Sequence, residues 1–333
     1  MFKRTLITAA VLCAVLPAYA EEQEITDTFT WISETEDILA EGMIWNDRLG
    51  DGQDRYKTGG MTQSWLLPQS IFSDENWIDG HAAAIEFQGR GFIATPNNTS
   101  NPAAGDRPFA QYVGVGAYLR TFGESEPLSM DTSLSVENRA GVEIGLVGEP
   151  LPLFELQEAL HGNGIGRTDA NTLDTEVLVN AEVRRTYRFH MDLEATEVEF
   201  APYAQGSFGM RENSVRVGID LITGSSLKAR TWNHEPAIGA MIAGGSAPRD
   251  GFQWATWVGG DVGYVAQDAF LDGGFDGSGP STPREEVTAR IRAGVMMEYD
   301  NFAMSYSVVW LSPEFEAQPE GQLVGGFQIK YRF

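Results

Sequence analysis

The sequence predicts an all-β protein: a transmembrane antiparallel β-barrel of about 12 strands, with a short helical insertion near residues 152–176. Apolar and polar residues alternate with a period of two through most of the chain, as they do in strands with two different faces. The alternating stretches are about 9–17 residues long, which is enough to cross a bilayer when strands are tilted. Tyr, Trp and Phe cluster near the ends of these stretches, as in the aromatic girdles of a membrane barrel.

The alternation defines the strands one by one. In residues 132–148, Leu134 and Val142 lie on an apolar face, on which Asn138 is the single polar exception, and Glu143 lies on the opposite face. A single-chain bacterial barrel requires an even number of strands. The predicted strands are 38–46, 58–67, 82–94, 107–122, 132–148, 177–193, 197–209, 213–222, 251–266, 285–299, 301–312 and 321–333, and the last ends on Phe333, a common final residue of outer-membrane barrels.

The first twenty residues have the features of an export signal. A positively charged start precedes an apolar core at residues 6–16 and the A-x-A cleavage pattern Ala18-Tyr19-Ala20. We therefore expect residues 1–20 to be a signal peptide and residues 21–333 to form the outer-membrane barrel domain. The only cysteine, Cys13, lies in the signal, so the mature domain has neither a disulfide nor a thiol nucleophile.

Composition and charge exclude several classes of protein. The 333 residues include 47 Asp and Glu against 23 Lys and Arg, which gives a net charge of −24. Such acidity argues against a nucleic-acid binder, because tracking phosphates needs a basic surface. With 8 Trp, 10 Tyr and 18 Phe, the chain is too aromatic to be disordered. We expect it to contact the membrane through apolar surface and to bind no nucleic acid.

The helical insertion carries the best candidate for a general base. Residues 154–161 have helical composition between prolines and glycines, and they end on His161. Histidine is suited to proton transfer near neutral pH. The other three histidines have simpler interpretations: His81 begins a strand after a turn, His190 faces the lumen, and His234 lies in a polar, solvated loop.

Two turn segments are rich in polar residues. Residues 45–59 join the first two strands and contain Asn and Asp beside glycines, oxygen donors of the kind that suit Ca²⁺. Their spacing does not match an EF-hand, and plain turns use the same residues. Residues 105–110 are expected to form a strand-entry turn with an Asp106–Arg107 pair. The chain contains no G-x-S-x-G, H-E-x-x-H or P-loop motif, so a serine hydrolase of the nucleophile-elbow type is unsupported.

Five short motifs occur in a characteristic order. They are Asn46-Asp47, Asp54-Arg55-Tyr56-Lys57-Thr58-Gly59, Gly105-Asp106-Arg107-Pro108-Phe109-Ala110, Ile144-Gly145-Leu146-Val147-Gly148 and Gln157-Glu158-Ala159-Leu160-His161. This series resembles the outer-membrane lipid A 3'-O-deacylase (LpxR) family. The resemblance implies a twelve-stranded barrel with its site near the outer-leaflet rim, in the bacterial outer membrane.

The resemblance also implies a chemistry and its residues. A deacylase of this kind removes the ester-linked 3' acyloxyacyl group from the lipid A of lipopolysaccharide, with Ca²⁺ as cofactor. His161 matches the family's histidine, which activates a water molecule. Asn46 and Asp47 match the pair that looks like the site of calcium and of oxyanion stabilisation, and Thr58 matches a Thr or Ser that makes a polar contact there. The expected partners are lipid A and the surrounding outer-membrane lipids, and the oligomeric state is left open.

Two other interpretations stay open at the level of the sequence. A non-catalytic barrel, either a channel or a structural protein, has the same alternation. The glycines on its polar faces, such as Gly141, Gly145 and Gly218, allow either packed neighbouring side chains or a narrow water path. A soluble periplasmic β-sandwich also alternates with a period of two.

Overall fold

The computed structural model describes residues 27–34, 37–53, 55–68, 71, 81–148, 151–155, 168, 170–193, 196–247 and 251–331. In chain order, the elements are α1 (Thr28–Glu34), β1 (Leu39–Asn46), a 3₁₀ turn (Asp47–Leu49), β2 (Tyr56–Pro68), β3 (His81–Thr95), β4 (Ala110–Gly123), β5 (Glu126–Pro127), β6 (Thr132–Val147), β7 (Glu176–Leu193), β8 (Thr196–Gly209), β9 (Glu212–Gly224), β10 (Arg230–His234), β11 (Met241–Ser246), β12 (Phe252–Asp268), α2 (Ala269–Asp272), β13 (Val287–Tyr299), β14 (Phe302–Leu311) and β15 (Gln322–Tyr331). None of the helices in these ranges is both long and apolar enough to span a membrane.

Twelve of the strands close into an antiparallel barrel. Consecutive strands pair within the runs β1 to β4, β6 to β9 and β12 to β15, while β4 pairs with β6 and β9 with β12. The last strand, β15, pairs with β1 and completes the ring. The predicted barrel is therefore confirmed. The β-sandwich is excluded, because these strands form one closed ring.

The barrel wall is apolar outside and polar inside. On β6, Val142 and Ile144 are 57% and 51% exposed, whereas Glu143 between them is only 2% exposed. This pattern is the reverse of a soluble protein, in which apolar side chains are the buried ones. Lipid on the outside and a polar lumen inside explain why the alternation was so regular in the sequence.

The two ends of the barrel differ in their connections. One end carries residues 47–55, 96–109, 148–175, 210–211, 269–286 and 312–321, and the other carries 69–80, 124–131, 194–195, 225–251 and 300–301. Within segment 225–251, residues 230–246 fold back into the barrel. Outer-membrane barrels have short periplasmic turns and longer extracellular loops, so the first end is the extracellular one.

The hairpin of β10 and β11 enters the lumen from the periplasmic end. Thr231 Oγ1 donates a hydrogen bond to Glu41 Oε1 on β1 (2.7 Å), and Glu235 Oε1 accepts one from Thr62 Oγ1 on β2 (2.9 Å). All five residues of β10 are buried. The hairpin is thus packed inside the ring and attached to its wall by side-chain hydrogen bonds.

The structure corrects the prediction for one histidine. His234 does not lie in a solvated loop: it is on β10, only 9% exposed, with Nε2 3.0 Å from Asp220 Oδ2. His190 faces the lumen and His81 begins β3, as predicted. The prediction for His234 failed because its neighbours in the chain are polar, as in a surface loop. In the barrel, these polar residues instead form hydrogen bonds inside the lumen.

The inward glycines make room for tyrosine rings. A Cβ added to Gly145 would lie 2.2 Å from Tyr112 Oη, and one added to Gly141 would lie 2.6 Å from Tyr118 Cδ1. Gly218 has the same relation to Tyr203, at 2.5 Å. Of the two possibilities left by the sequence, packed side chains rather than a water path occupy these positions.

Networks of buried ion pairs fill much of the remaining lumen. Asp261 on β12 is their clearest centre: its Oδ1 lies 2.8 Å from Arg290 Nε and 3.2 Å from Arg216 Nη1, and its Oδ2 lies 2.9 Å from Arg292 Nη1. Arg292 in turn binds Asp220 (2.6 Å). Several partners per charge compensate the loss of water around each group.

A filled lumen predicts that the protein does not conduct ions. We expect the purified protein in planar bilayers to give no stable unitary conductance, because the hairpin and the ion-pair networks occupy the path between the two ends. A porin reconstituted in the same bilayers is the positive control. Stable, ohmic single-channel steps that scale with salt concentration would instead support the channel interpretation.

Candidate active site

The first strand ends at the extracellular rim in a turn built around Asp47. Asn46 caps the turn, since its Oδ1 accepts a hydrogen bond from the backbone N–H of Arg48 (2.8 Å). Asp47 is fully buried, and its Oδ2 accepts from the backbone N–H of Arg55 (2.6 Å). The backbone carbonyl of Asp47 accepts from Gly50 (2.8 Å) and the N–H of residue 52 (3.2 Å). The loop 47–55 therefore wraps around this carboxylate and fixes its position.

Gly59 leaves space for the side-chain amide of Asn46. The two residues are direct partners in the β1–β2 ladder. A Cβ at position 59 would lie 2.8 Å from Asn46 Nδ2, closer than side chains tolerate. Along β1, Asn46 shares the face of Ile44, which is 64% exposed to the lipid side. The amide is therefore held at the rim, on the outer face of the barrel.

Thr58 lies next to this pair, at a β-bulge. Lys57 pairs with Ala94 and Gly59 with Ile93, so Thr58 is an extra residue in β2. Its side chain is buried, and its Oγ1 lies 2.7 Å from Thr95 Oγ1. Bulges redirect side chains and are frequent beside active sites. Thr58 thus links β2 to β3 at the level of the Asn46–Asp47 turn.

His161 itself lies outside the described residues, but both limbs of the loop that contains it are anchored. On the way out, Gln111 Oε1 accepts hydrogen bonds from the N–H groups of Leu153 (3.0 Å) and Phe154 (3.2 Å), where residues 153–155 are helical. On the way back, the N–H of Phe109 donates to Asn171 O, and Leu173 donates to Phe109 O. The predicted helical insertion therefore begins at this rim, beside the start of β4.

The outgoing limb lies on the lipid-facing side of the wall. Gln111 lies on the same outward face of β4 as the exposed Val113, yet it is fully buried beneath this limb. Leu153 Cδ1 lies 3.8 Å from the position that a Cβ would take on Gly91, a residue on the outer face of β3. Asn46 and the start of the His161 segment thus lie on the same outer face, separated by β2.

Below the rim, an acidic residue from the last extracellular loop forms ion pairs with two basic side chains. Glu314 accepts from Lys57 Nζ and lies 3.4 Å from Arg107 Nη1. Burial alone would raise the pKa of the Glu314 carboxyl, but Lys57 and Arg107 hold this pKa below its ordinary value. The predicted Asp106–Arg107 side-chain pair is wrong: Asp106 accepts backbone N–H groups, including that of Arg107, while the Arg107 guanidinium faces Glu314.

The oxygen atoms near the turn are of the type that binds a hard cation such as Ca²⁺. Asp47 offers a carboxylate and Asn46 an amide carbonyl, both of which are calcium-type ligands. Calcium takes six to eight oxygen ligands in proteins. Within the described ranges, no group of three or more His, Cys, Asp or Glu is arranged to hold a metal ion. A calcium site here would therefore need further oxygen atoms, from backbone, water, substrate or the rest of the chain.

The closed barrel and its extracellular rim define the class of this protein, an outer-membrane β-barrel with a polar site at the lipid-facing edge. A family model described as "Outer membrane protein LpxR" matches residues 6–333. The chain belongs to the LpxR family, which confirms the resemblance drawn from the five motifs, and it is an outer-membrane protein.

A solved structure shows the same fold. LpxR from Salmonella typhimurium superposes with a TM-score of 0.69 at 17% identity, and the match covers 89% of this chain and 100% of that one. The β domain of the Bordetella autotransporter BrkA has a TM-score of 0.42 at 10% identity, covering 89% and 97%. Among the curated proteins, none matches this chain.

Proposed function

We propose that the protein is a lipid A deacylase that hydrolyses the ester-linked 3' acyloxyacyl group of lipopolysaccharide. Membership of the LpxR family supports this activity. The observation that carries the proposal is positional: Asn46, Asp47, Thr58 and both limbs of the His161 segment lie at one stretch of the extracellular rim. This is the depth at which the head groups and ester bonds of the outer leaflet are found.

The outer face of the wall below the rim offers a path for acyl chains. Ile44 and Met61 are 64% and 53% exposed there and lie beneath Asn46 and Gly59 on the same face. A lipid aligned with the barrel would pack its chains on these side chains while its ester reaches the turn. No movement of the acyl group out of the bilayer is then required.

The residues of the proposed site have separate roles in ester hydrolysis. Water attacks the ester carbonyl and gives its proton to neutral His161. The resulting oxyanion is stabilised by the amide Nδ2 of Asn46, which Gly59 leaves accessible. When the C–O bond breaks, His161 returns the proton to the departing sugar alkoxide, so the products are a free fatty acid and an alcohol. Thr58, hydrogen-bonded to Thr95, holds β2 in position and presents a polar contact.

We propose further that Ca²⁺ binds at Asp47 and Asn46. Bound there, calcium would supply positive charge close to the developing oxyanion. The chain's own contribution is to hold Asp47 rigidly, through the N–H of Arg55 and the turn 47–55. Arg55 donates hydrogen bonds to Asp51 and Glu320, which link this loop to the segment that precedes β15. Burial alone would lower the pKa of Arg55, but Glu320 and Asp51 raise this pKa above its ordinary value.

The test is mass spectrometry of lipid A from cells that express the protein. We expect wild-type protein to remove one acyloxyacyl mass, and a calcium chelator to prevent the loss in membranes or with purified protein. Asp47→Asn should lower turnover by about 10²–10³-fold, the usual effect of removing a charge-stabilising group from such a site. Asp276→Asn is the matched control, since Asp276 is an exposed carboxylate of a different extracellular connection, and it should retain activity.

Two results would contradict the proposal. Lipid A that is unchanged by folded wild-type protein would reject the deacylase. Full deacylation by Asp47→Asn in the presence of the chelator would keep the deacylase but reject calcium at this position.

A further inference from the structure

A single arginine stands on the lipid-facing wall of β7. Arg185 is exposed and lies on the same outward face of the strand as Val183 and Tyr187, which are 47% and 40% exposed. Its neighbours in the chain, Arg184 and Thr186, point the other way and line a cavity in the lumen. An exposed arginine on this face costs free energy wherever it meets hydrocarbon, so its presence calls for a polar partner.

That partner is not another side chain of the described part of the molecule. There, Arg185 has no ion pair, and its one contact of note is with a ring: its Cζ lies 5.4 Å from the centroid of Tyr187. Most other arginines of the wall, by contrast, bind carboxylates in the lumen, as Arg188 does with Glu199 (2.6 Å). Arg185 therefore carries an uncompensated positive charge toward the membrane.

Arg185 lies in a row of polar residues across three strands. It pairs with Asn138 on β6, which pairs with Thr121 on β4. Asn138 Nδ2 donates a hydrogen bond to Thr121 Oγ1 (3.1 Å). Asn138 is the polar exception on an otherwise apolar face, so two successive strands break the lipid-facing pattern at the same level. The two exceptions are adjacent and form one polar patch.

The patch lies in the periplasmic half of the membrane. Thr121 is two residues from Gly123, where β4 ends on the periplasmic side. β7 runs toward the periplasm, and Tyr187, over which the guanidinium lies, is on the periplasmic side of Arg185. A long cationic side chain in such a position reaches toward the nearer layer of head groups. That layer is the periplasmic leaflet, not the leaflet that faces the proposed active site.

We propose that Arg185, Asn138 and Thr121 form a binding site for the phosphate of a phospholipid in the periplasmic leaflet. The guanidinium offers paired N–H donors that match phosphate oxygens. The Tyr187 ring holds the guanidinium in place, and Asn138 adds a neutral donor. The site is at the opposite end of the barrel from Asn46 and Asp47, and it does not depend on the proposed hydrolysis.

The test uses the full mature chain in a non-ionic detergent, with phosphatidylglycerol as the probe and diacylglycerol of the same chains as the phosphate-free comparison. Native mass spectrometry should show phosphatidylglycerol, but not diacylglycerol, bound to the wild type. Arg185→Leu should weaken this binding by about tenfold, the effect of about 1.4 kcal/mol, whereas Arg185→Lys should keep part of it. Arg48→Leu, which removes an exposed arginine at the other end, should leave binding unchanged.

A thermal measurement separates a lipid site from a structural role. Without phospholipid, Arg185→Leu should melt no lower than the wild type, because leucine suits a lipid-facing wall, and added phosphatidylglycerol should raise only the wild-type melting temperature. Equal phosphatidylglycerol binding by wild type and Arg185→Leu would overturn the proposal. A change of oligomeric state in Arg185→Leu would overturn it too, and would assign the patch to a contact between two copies.

Discussion

Replacing His161 with alanine is expected to lower the rate of lipid A deacylation by about 10²–10⁴-fold, the usual contribution of a general base. Of the chain's four histidines, His161 alone belongs to a connection at the extracellular end: His81 begins β3 on the periplasmic side, and His190 and His234 face the lumen. No other imidazole can therefore replace it at the rim. Turnover of purified lipopolysaccharide, followed by the mass of the released acid, measures the effect.

The control for this experiment is His81→Ala, which removes a histidine at the opposite end and should leave turnover unchanged. Heat modifiability on gels establishes that both variants are folded barrels. If folded His161→Ala hydrolysed lipid A at the wild-type rate, the base would have to be another group, and the assignment from the family motif would be wrong. The rim position of Asn46 and Asp47 would be unaffected.

Replacing Asp261 with asparagine is expected to destabilise the barrel by about 3–5 kcal/mol, the typical result of removing one partner from a buried ion pair. Asp261 faces Arg216, Arg290 and Arg292 within 3.2 Å or less. The variant keeps these guanidinium groups in the lumen but removes the charge that compensates them. Denaturant-induced unfolding in detergent, monitored by tryptophan fluorescence, measures the change in the free energy of unfolding.

Asp272→Asn provides the comparison for Asp261. Asp272 also binds an arginine, Arg284, at 2.6 Å, but both side chains are more than 20% exposed. Ion pairs that water reaches contribute less than buried ones, about 0–1 kcal/mol at a fully exposed surface, so this variant should unfold much closer to the wild type than Asp261→Asn does. Equal effects of the two substitutions would mean that water reaches the lumen network and that its charges are not buried in practice.

The strands were predictable because the two sides of a membrane barrel impose opposite demands on adjacent residues. β6 was predicted at residues 132–148 and is observed at Thr132–Val147. The hairpin β10–β11 was missed for the complementary reason: all of β10 is enclosed by the ring, so neither of its faces is selected to be apolar. The length of the connection was the one remaining sign of the hairpin. The chain between predicted strands 213–222 and 251–266 is longer than a structureless loop usually is, about 12–15 residues.

The candidate site was predictable only in part. Asn46, Asp47 and Thr58 were found through motif order, and the structure brings them together at one turn and one bulge. The partner of Arg107 could not be found in this way, because Glu314 lies 207 residues away and the pair depends on closure of the barrel. Arg185 is one polar residue on an otherwise apolar face of β7, so the sequence pattern alone does not mark it. Only the register shows that it lies beside Asn138.

Closure of the ring bears on when the proposed active site is complete. Asn46 lies on the first strand and pairs both with Gly59 on β2 and with Gly325 on β15, the last strand of the chain. The hairpin β10–β11 is enclosed by the same ring and must already be inside when the two ends of the chain meet. The surroundings of Asn46 are thus completed by the final step of assembly. We expect an export intermediate to be inert toward lipids, and hydrolysis to begin only once insertion is finished.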